Sequence, residues 1–302
     1  MSPPGHDHHK HGPDGPLHGV RLGPPLAHPL VFVHGITGSR RYFERRVTSL
    51  ADRYRIVIPD LLGFGLSPKP AVDYTVARFQ RSLRGYLQAE GVAGRPHVLI
   101  GHSLGALISI EYAIEHPEEV QALILLNLPR YASSEEAHQL FWLGSPSYRK
   151  LLNEHSLVEN LYQVRRSGID LFLKYLVRFP WGVVADCRKF TMRSLTSTLE
   201  HCLLNYRLDD VLPNLQAVPV LILHGRRDGV APVGNVRDLP RKYPFMRLEV
   251  IESSGHHVFL THTRRCLRLI EGFLASPEVL ARGGGGRAGA LLDAPGAGNR
   301  SR

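Results

Sequence analysis

The chain has 302 residues, of which 43% are apolar and 21% are charged, a balance typical of soluble globular proteins. This length suits one large domain with an insertion, and such a chain can bury its core without disulfide bonds. Lysine and arginine outnumber aspartate and glutamate by 37 to 27, a net charge of +10, but no basic block of five or more occurs. We therefore predict no nucleic-acid partner. No segment approaches the roughly 18 uninterrupted apolar residues of a membrane span, so we predict no integral membrane segment.

The two ends of the chain are predicted to be disordered. Residues 1–16 are rich in His, Pro and Gly, and residues 281–302 are rich in Gly and other small residues. Neither composition can bury a core. The histidines at the start could bind a metal ion loosely, but a disordered tail is the favoured interpretation, and we predict no metal site.

The start of the chain and its cysteines indicate the cellular compartment in which the protein is expected. The start of the chain has no apolar run behind a basic end, so it does not read as a secretory signal. The three cysteines form an odd number without C-x-x-C spacing, which favours neither a disulfide framework nor a zinc site. A reducing compartment fits best, and we expect a cytoplasmic location.

Six short apolar runs recur along the middle of the chain and are predicted to be strands. Each run is continuous rather than alternating, as in strands buried on both faces of a parallel sheet. In chain order, the runs are 30–33, 55–59, 97–100, 122–126, 220–223 and 247–251. Helical patterns over 75–90 and 104–115 separate some of them. The alternation predicts a doubly wound, mostly parallel α/β sheet.

One segment interrupts this alternation. Residues 129–208 contain no strand-like run and instead show helical patterns rich in aromatic residues. The strand pattern resumes at Pro219. We therefore predict a helical cap over 129–208, inserted into a core formed by residues 17–128 and 209–280.

A five-residue turn between a predicted strand and a predicted helix carries the first chemical signal. Its sequence is Gly101-His-Ser-Leu-Gly105, which matches the G-x-S-x-G nucleophile elbow in the required context. Such a sharp turn crowds its middle residue, so the flanking positions must be nearly free of side chains. The turn is expected to strain the Ser103 backbone and expose its hydroxyl, with helix N–H groups directed at the same point.

Further motifs surround this turn in a fixed order along the chain. They are His34–Gly38, Asp60–Ser67, His224–Asp228 and Gly255-His256. With the elbow, they resemble the α/β-hydrolase fold family, in its subgroup with a helical cap, over roughly residues 17–275. The resemblance implies that residues 18–22 are a remnant of the family's second strand and that its first strand is missing.

The resemblance also implies a role for individual residues. Ser103 would be the nucleophile, His256 the base that activates it, and Asp228 the carboxylate that orients the base. An alcohol is a weak nucleophile at neutral pH, which is why such a pair of partners is needed. The oxyanion hole would be formed by the backbone N–H groups of Ile36 and Leu104.

Other residues could take some of these roles. His257 is adjacent to His256, but the family motif uses the histidine directly after Gly255, which favours His256. The other carboxylates considered are Asp60, Asp209 and Asp210. The family sometimes places its acid after the sixth strand, where this chain has Asn127. Two further histidines at motif positions, read as structural, are His34 and His102.

The nucleophile restricts the reaction. Ser103 excludes the Asp-nucleophile chemistry of the family's haloalkane dehalogenases and epoxide hydrolases. We predict a serine hydrolase that cleaves carboxylic esters of an apolar small molecule through an acyl-enzyme on Ser103. One alternative is a carbon–carbon bond hydrolase, although that subgroup typically has Trp where this chain has His257. Another is a non-catalytic ligand receptor.

No phosphate-binding glycine motif follows a strand, so no cofactor is predicted. The oligomeric state is left open.

Overall fold

The computed structural model describes residues 14–144, 181–186, 189–216 and 218–283. In these ranges, seven strands form one sheet in the order β1-β3-β2-β4-β5-β6-β7. The strands are β1 (Gly19–Leu22), β2 (His28–Val33), β3 (Tyr54–Pro59), β4 (His97–His102), β5 (Val120–Leu126), β6 (Val220–Gly225) and β7 (Met246–Ile251). Strand β1 is antiparallel to β3, and all the other neighbours are parallel.

The six predicted apolar runs are all strands of this sheet, and the α/β-hydrolase fold class is confirmed. Strands β4 and β5 are buried at every residue, because helices cover both faces of the sheet. The predicted remnant 18–22 contains β1, which pairs Gly19 with Pro59 at the edge of the sheet. It is only partly buried, since an edge strand has a single neighbour.

Ten α-helices lie in the described ranges. They are α1 (Val76–Ala89), α2 (Leu104–Glu115), α3 (Ser134–Gly144), α4 (Trp181–Asp186), α5 (Met192–Thr198), α6 (Leu208–Val211), α7 (Leu239–Lys242), α8 (Val258–Thr261), α9 (Thr263–Leu274) and α10 (Pro277–Arg282). The two predicted helices correspond to α1 and α2. Helix α1 starts after Thr75, whose hydroxyl accepts a hydrogen bond from Arg78 N, and Gly91 follows its end with φ 64°.

Two hydrophobic layers cover the two faces of the sheet. One contains Phe79 and Leu83 of α1 together with Leu107 of α2. The other contains Phe43 and residues of α8 and α9, such as Phe259 and Ile270. Because these strands are parallel, their carboxyl ends lie at one edge of the sheet. Loops at this edge present the functional side chains in sheets of this type.

Every described element between Pro129 and Arg207 is helical: α3, α4, α5 and a π-helix, Leu199–Leu204. Residues 145–180 and 187–188 of the predicted cap lie outside the described residues. The described part is attached to the core by polar contacts. Ser194 Oγ donates to Gly63 O at 3.0 Å, and Tyr74 N donates to Ser197 Oγ at 2.9 Å. That 129–208 acts as a cap stays a prediction.

At both ends of the chain, the described residues extend a few positions into the predicted tails, whose boundaries stay a prediction. Asp14 forms an ion pair of 2.7 Å with Arg78, and its side chain is 7% exposed. At the other end, α10 runs to Arg282, whose guanidinium Nε donates to Val120 O at 3.1 Å. The rest of both tails, residues 1–13 and 284–302, lies outside the described residues. None of the helices that the structure describes is both long and apolar enough to cross a bilayer.

Candidate active site

Ser103 lies in the turn that joins β4 to α2. Its backbone has φ 52° and ψ −117°, a conformation that L-residues rarely adopt. A Cβ atom at Gly101 would collide with the backbone of Gly105, and one at Gly105 would collide with Val33 O. The two flanking glycines are therefore required by the close approach of the backbone, as the elbow motif predicts.

The Ser103 hydroxyl is the first member of a hydrogen-bonded chain of three side chains. Its Oγ lies 3.1 Å from His256 Nε2, and His256 Nδ1 lies 2.9 Å from Asp228 Oδ2. A carboxylate can only accept, so Nδ1 carries the proton and Nε2 is left to accept from the serine. The structure thus brings together residues 103, 228 and 256, which lie on three different loops.

The Asp228 side chain is fully buried, and its carboxylate is held at both oxygens. Its Oδ1 accepts hydrogen bonds of 2.9 Å from the backbone N–H groups of Val230 and Ala231. Burial by itself raises the pKa of Asp228, but the charge and hydrogen bond of His256 and the Ala231 N–H outweigh burial and hold the pKa well below its usual value. The carboxylate is therefore ionised at neutral pH.

The loop after β2 lies directly against the serine. A Cβ atom built on Gly35 would be 3.2 Å from Ser103 Cβ, so no larger residue fits there without a shift. The next residue is Ile36, and Leu104 follows the serine on the other side. Within the described ranges, neither the Ile36 nor the Leu104 backbone N–H has a hydrogen-bond acceptor. Thr37 then has φ 57°, a strained value for a β-branched residue.

The sequence of the chain is similar to the sequences of known proteins. Residues 28–151 match the family model of the alpha/beta hydrolase fold. A 2-hydroxymuconate semialdehyde hydrolase of Pseudomonas putida is 31% identical over 237 residues, which cover 75% of this chain and 79% of that protein. The chain belongs to the α/β-hydrolase fold family.

Two further similarities concern hydrolases. Lipase 1 of Psychrobacter immobilis is 41% identical over 100 residues, which cover 33% of this chain and 31% of the lipase. The solved structure of an esterase from Exiguobacterium antarcticum superposes with a TM-score of 0.69 at 22% identity, in a match that covers 88% of this chain and 98% of the esterase. At that identity, the structural likeness shows the shared α/β-hydrolase fold alone.

Two histidines of this α/β-hydrolase, read from the sequence as structural, tie the site loops to one another. His34 accepts from Leu61 N at 2.9 Å and donates to Gly35 O at 2.8 Å. His102 Nε2 donates to the backbone oxygen of His256 at 2.8 Å. Burial, with His256 and His257 nearby, lowers the pKa of His102 far below its usual value, so its ring is neutral.

The competing residues lie in other contacts. The His257 ring packs 5.9 Å from the Tyr42 ring, whereas His256 contacts both Ser103 and Asp228. Asp60 is fully buried at the end of β3 and accepts from backbone N–H groups, such as Leu66 N at 2.9 Å. Asp209, which was also considered as the acid, forms an ion pair with Arg130 instead.

Sequence reasoning missed the role of Asn127, which it noted only as a position without a carboxylate. Asn127 has φ 51° at the end of β5, and its side chain reaches Asp228. The one available signal is that Asn tolerates left-handed backbone conformations better than most residues do.

One cluster of the described residues has the composition of a metal site. His116, Glu118 and Glu119 each offer a ligand atom within 4.8 Å of the others. Both oxygens of Glu119 are already bonded, however, one to Arg84 at 2.7 Å and the other to the Tyr112 hydroxyl at 2.6 Å. A cation would have to compete with an arginine for this carboxylate, so the donor set does not favour one.

Proposed function

We propose that the protein is a serine hydrolase that cleaves carboxylic esters of an apolar small molecule through an acyl-enzyme on Ser103. The observation that carries this proposal is the hydrogen-bonded chain from Ser103 through His256 to Asp228, with distances of 3.1 and 2.9 Å. This arrangement supplies a nucleophile, a base and an orienting carboxylate in the chain order Ser, Asp, His that this fold uses.

The reaction follows from the protonation states in this chain. His256 Nε2 takes the hydroxyl proton while Ser103 Oγ bonds to the ester carbonyl carbon. The resulting oxyanion accepts hydrogen bonds from the Ile36 and Leu104 N–H groups. The tetrahedral intermediate collapses, the C–O bond to the alcohol breaks, and His256 returns its proton to the leaving alkoxide. Water then repeats the sequence on the acyl-enzyme, which releases the carboxylic acid and restores the serine.

The surroundings of the acid loop support an apolar substrate. Tyr131 and Phe141, at the start of the predicted cap, are nearly buried and pack with their ring centroids 6.2 Å apart. The Tyr131 hydroxyl donates to Val230 O, two residues beyond Asp228. Aromatic residues thus lie beside the acid loop, as in many small-molecule sites. The similarity to a lipase supports ester cleavage further.

A second candidate is hydrolysis of a carbon–carbon bond. It is favoured by the 31% identity to a 2-hydroxymuconate semialdehyde hydrolase over most of both chains. The residue after the candidate base is His257, where the family resemblance leads one to expect Trp for that reaction. We therefore rank ester hydrolysis first.

The test measures the hydrolysis of p-nitrophenyl esters of increasing acyl length and, in parallel, the hydrolysis of the carbon–carbon bond of a vinylogous diketone. Ester hydrolysis that is lost in Ser103→Ala supports the proposal. Efficient cleavage of the diketone with poor ester turnover would favour the second candidate. Tight binding of ligands without turnover of either substrate would identify a receptor instead.

The proposed location is the cytoplasm. Cys202 and Cys266 are both buried thiols without a disulfide. Reduced, buried cysteines support a reducing compartment.

A further inference from the structure

Asn127 occupies the end of β5, between the strand ends that carry the candidate serine and the candidate acid. It is fully buried, its backbone N–H donates to Leu223 O at 2.9 Å, and its φ of 51° lies in the left-handed region, which asparagine tolerates better than most residues. Left-handed conformations of residues other than glycine persist where the surroundings hold them, and they cluster at functional sites.

The Asn127 amide bonds two separate loops. Its Nδ2 donates to Asp228 Oδ2 at 2.8 Å and to Gly255 O at 3.2 Å, and its Oδ1 accepts from Val258 N at 3.2 Å. The amide orientation is determined by these partners, because a carboxylate and a carbonyl can only accept whereas an N–H group can only donate. One side chain therefore contacts the acid loop and both sides of His256.

We propose that Asn127 is a positioning residue that aims the Asp228 carboxylate at His256 and holds the loop of His256 in register with it. The inference rests on the proposed function. Asp228 Oδ2 accepts from both Asn127 Nδ2 and His256 Nδ1, so the amide limits the movement of the very oxygen that orients the base.

Removal of the amide would act on geometry rather than on substrate binding. In Asn127→Ala, the Val258 N–H loses its partner, and Asp228 Oδ2 keeps the hydrogen bond from His256 but loses the one from the amide. A misplacement of about 1 Å at a reacting group can cost about 100-fold in rate. We expect kcat to fall about 10- to 100-fold while KM stays within about threefold.

The isosteric change Asn127→Asp tests the donor alone, since an Asp side chain still accepts from Val258 N. Two carboxylates within hydrogen-bond distance cannot both ionise readily, so the pair with Asp228 would share one proton. That shared proton replaces the amide donor at low pH and is lost as the pH rises. The activity of Asn127→Asp relative to wild type should therefore be near one at about pH 6 and fall at least about tenfold toward pH 9.

The other titratable groups around this site are the same in wild type and variant, so the ratio of the two pH profiles isolates position 127. Those that face Asp228 and His256 are Tyr42, His102 from β4, Tyr131 after β5, His224 from β6 and His257.

Asn235→Asp is the matched control. The Asn235 amide also donates to a backbone oxygen, Arg130 O, and to a carboxylate, Glu136, but away from Ser103. Its pH profile relative to wild type should be flat. If the role of Asn127 is purely structural, Asn127→Asp should lose thermal stability as the control does, and the pH profile of its folded enzyme should match that of wild type.

The experiment measures ester turnover and, independently of turnover, the rate at which a fluorophosphonate labels Ser103, read by intact mass. Labelling forms the Oγ–P bond and expels fluoride, and His256 takes the serine proton. A wild-type enzyme that neither turns over esters nor is labelled overturns the proposed function and this inference with it. An active wild type with a flat Asn127→Asp ratio overturns the inference alone. If Asn127→Ala does not fold, that ratio decides the matter by itself.

Discussion

The Ser39 hydroxyl donates a hydrogen bond of 2.7 Å to Asp186 Oδ2, across 147 positions of the chain. Ser39 caps the 3₁₀-helix Arg40–Tyr42, three residues after Ile36. Asp186 ends α4 in the predicted cap, and its side chain is 1% exposed and paired with Lys189 at 2.7 Å. Burial by itself raises the pKa of the Asp186 carboxyl. The hydrogen bonds from Lys189 and Ser39, together with the charges of Lys189 and Arg41, outweigh burial and lower that pKa below its usual value. The loop of the proposed oxyanion donor is thereby tied to the range 129–208.

Ser39→Ala should therefore lower both stability and rate. The change removes the cap of the 3₁₀-helix, in which Ser39 Oγ accepts from Arg41 N at 3.2 Å, a contact worth about 1 kcal/mol. It also frees the loop of Ile36, and we expect kcat to fall about three- to tenfold. The control is Thr75→Ala, which removes a similar cap from α1. A similar loss of melting temperature in both variants, with a lower kcat in Ser39→Ala alone, is the expected result.

Replacement of Ser103 should separate strain from catalysis. Ser103→Ala and Ser103→Gly both lack the nucleophile, and we expect kcat to fall by about 10⁴ to 10⁶ in each. At φ 52°, glycine is unstrained whereas alanine is not, so Ser103→Gly should be the more stable of the two by about 1 kcal/mol. Urea unfolding measures the difference. Activity of either variant within tenfold of wild type would refute the role of Ser103.

The two adjacent histidines should behave differently. His256→Ala removes the group that contacts both Ser103 and Asp228, so turnover should be abolished. His257 packs against Tyr42 and His102, and His257→Ala should chiefly change KM or substrate preference. Steady-state kinetics with two esters of different acyl length measures this. The reverse pattern, with His257→Ala inactive and His256→Ala active, would mean that the base is His257.

His28 should make the fold sensitive to acid. Burial, with His97 and Arg95 nearby, lowers the pKa of His28 to about 4, against about 6.5 in an unfolded chain. Above about pH 6.5 both states are neutral at this residue and it contributes nothing. As the pH falls from about 6.5 to about 4, the unfolded chain binds a proton that the folded protein does not, so stability is lost, by about 3 kcal/mol at most.

His28→Asn removes this titration. Between about pH 7 and pH 4.5, the free energy of unfolding should fall less in His28→Asn than in wild type, as measured by urea unfolding. Burial also lowers the pKa of His97, which continues to titrate in both proteins. Equal acid losses in the two proteins would show that His28 takes up its proton as readily folded as unfolded.

The sequence by itself determined the features that depend on neighbouring residues. Apolar runs predicted six of the seven strands, and for strands such as β4 and β5 the reason is that burial on both faces requires apolar residues at every position. The strand β7 lies at the edge of the sheet and is only partly buried. The elbow could be recognised because its two glycines, Gly101 and Gly105, lie at fixed positions on either side of Ser103, where a Cβ atom would collide with backbone atoms. The same local reasoning gives no sign of the ion pair between Asp14 and Arg78, because it joins positions 64 apart.

Only the tertiary structure decided which distant side chains meet. Asn127 and Asp228 are 101 positions apart, and nothing near either residue signals their hydrogen bond. The same holds for Ser39 and Asp186. In a parallel sheet, residues far apart in sequence come together at the carboxyl ends of adjacent strands, and strand order sets which of them are neighbours. β5 lies between β4 and β6, so an asparagine at its end can contact the loop of the acid.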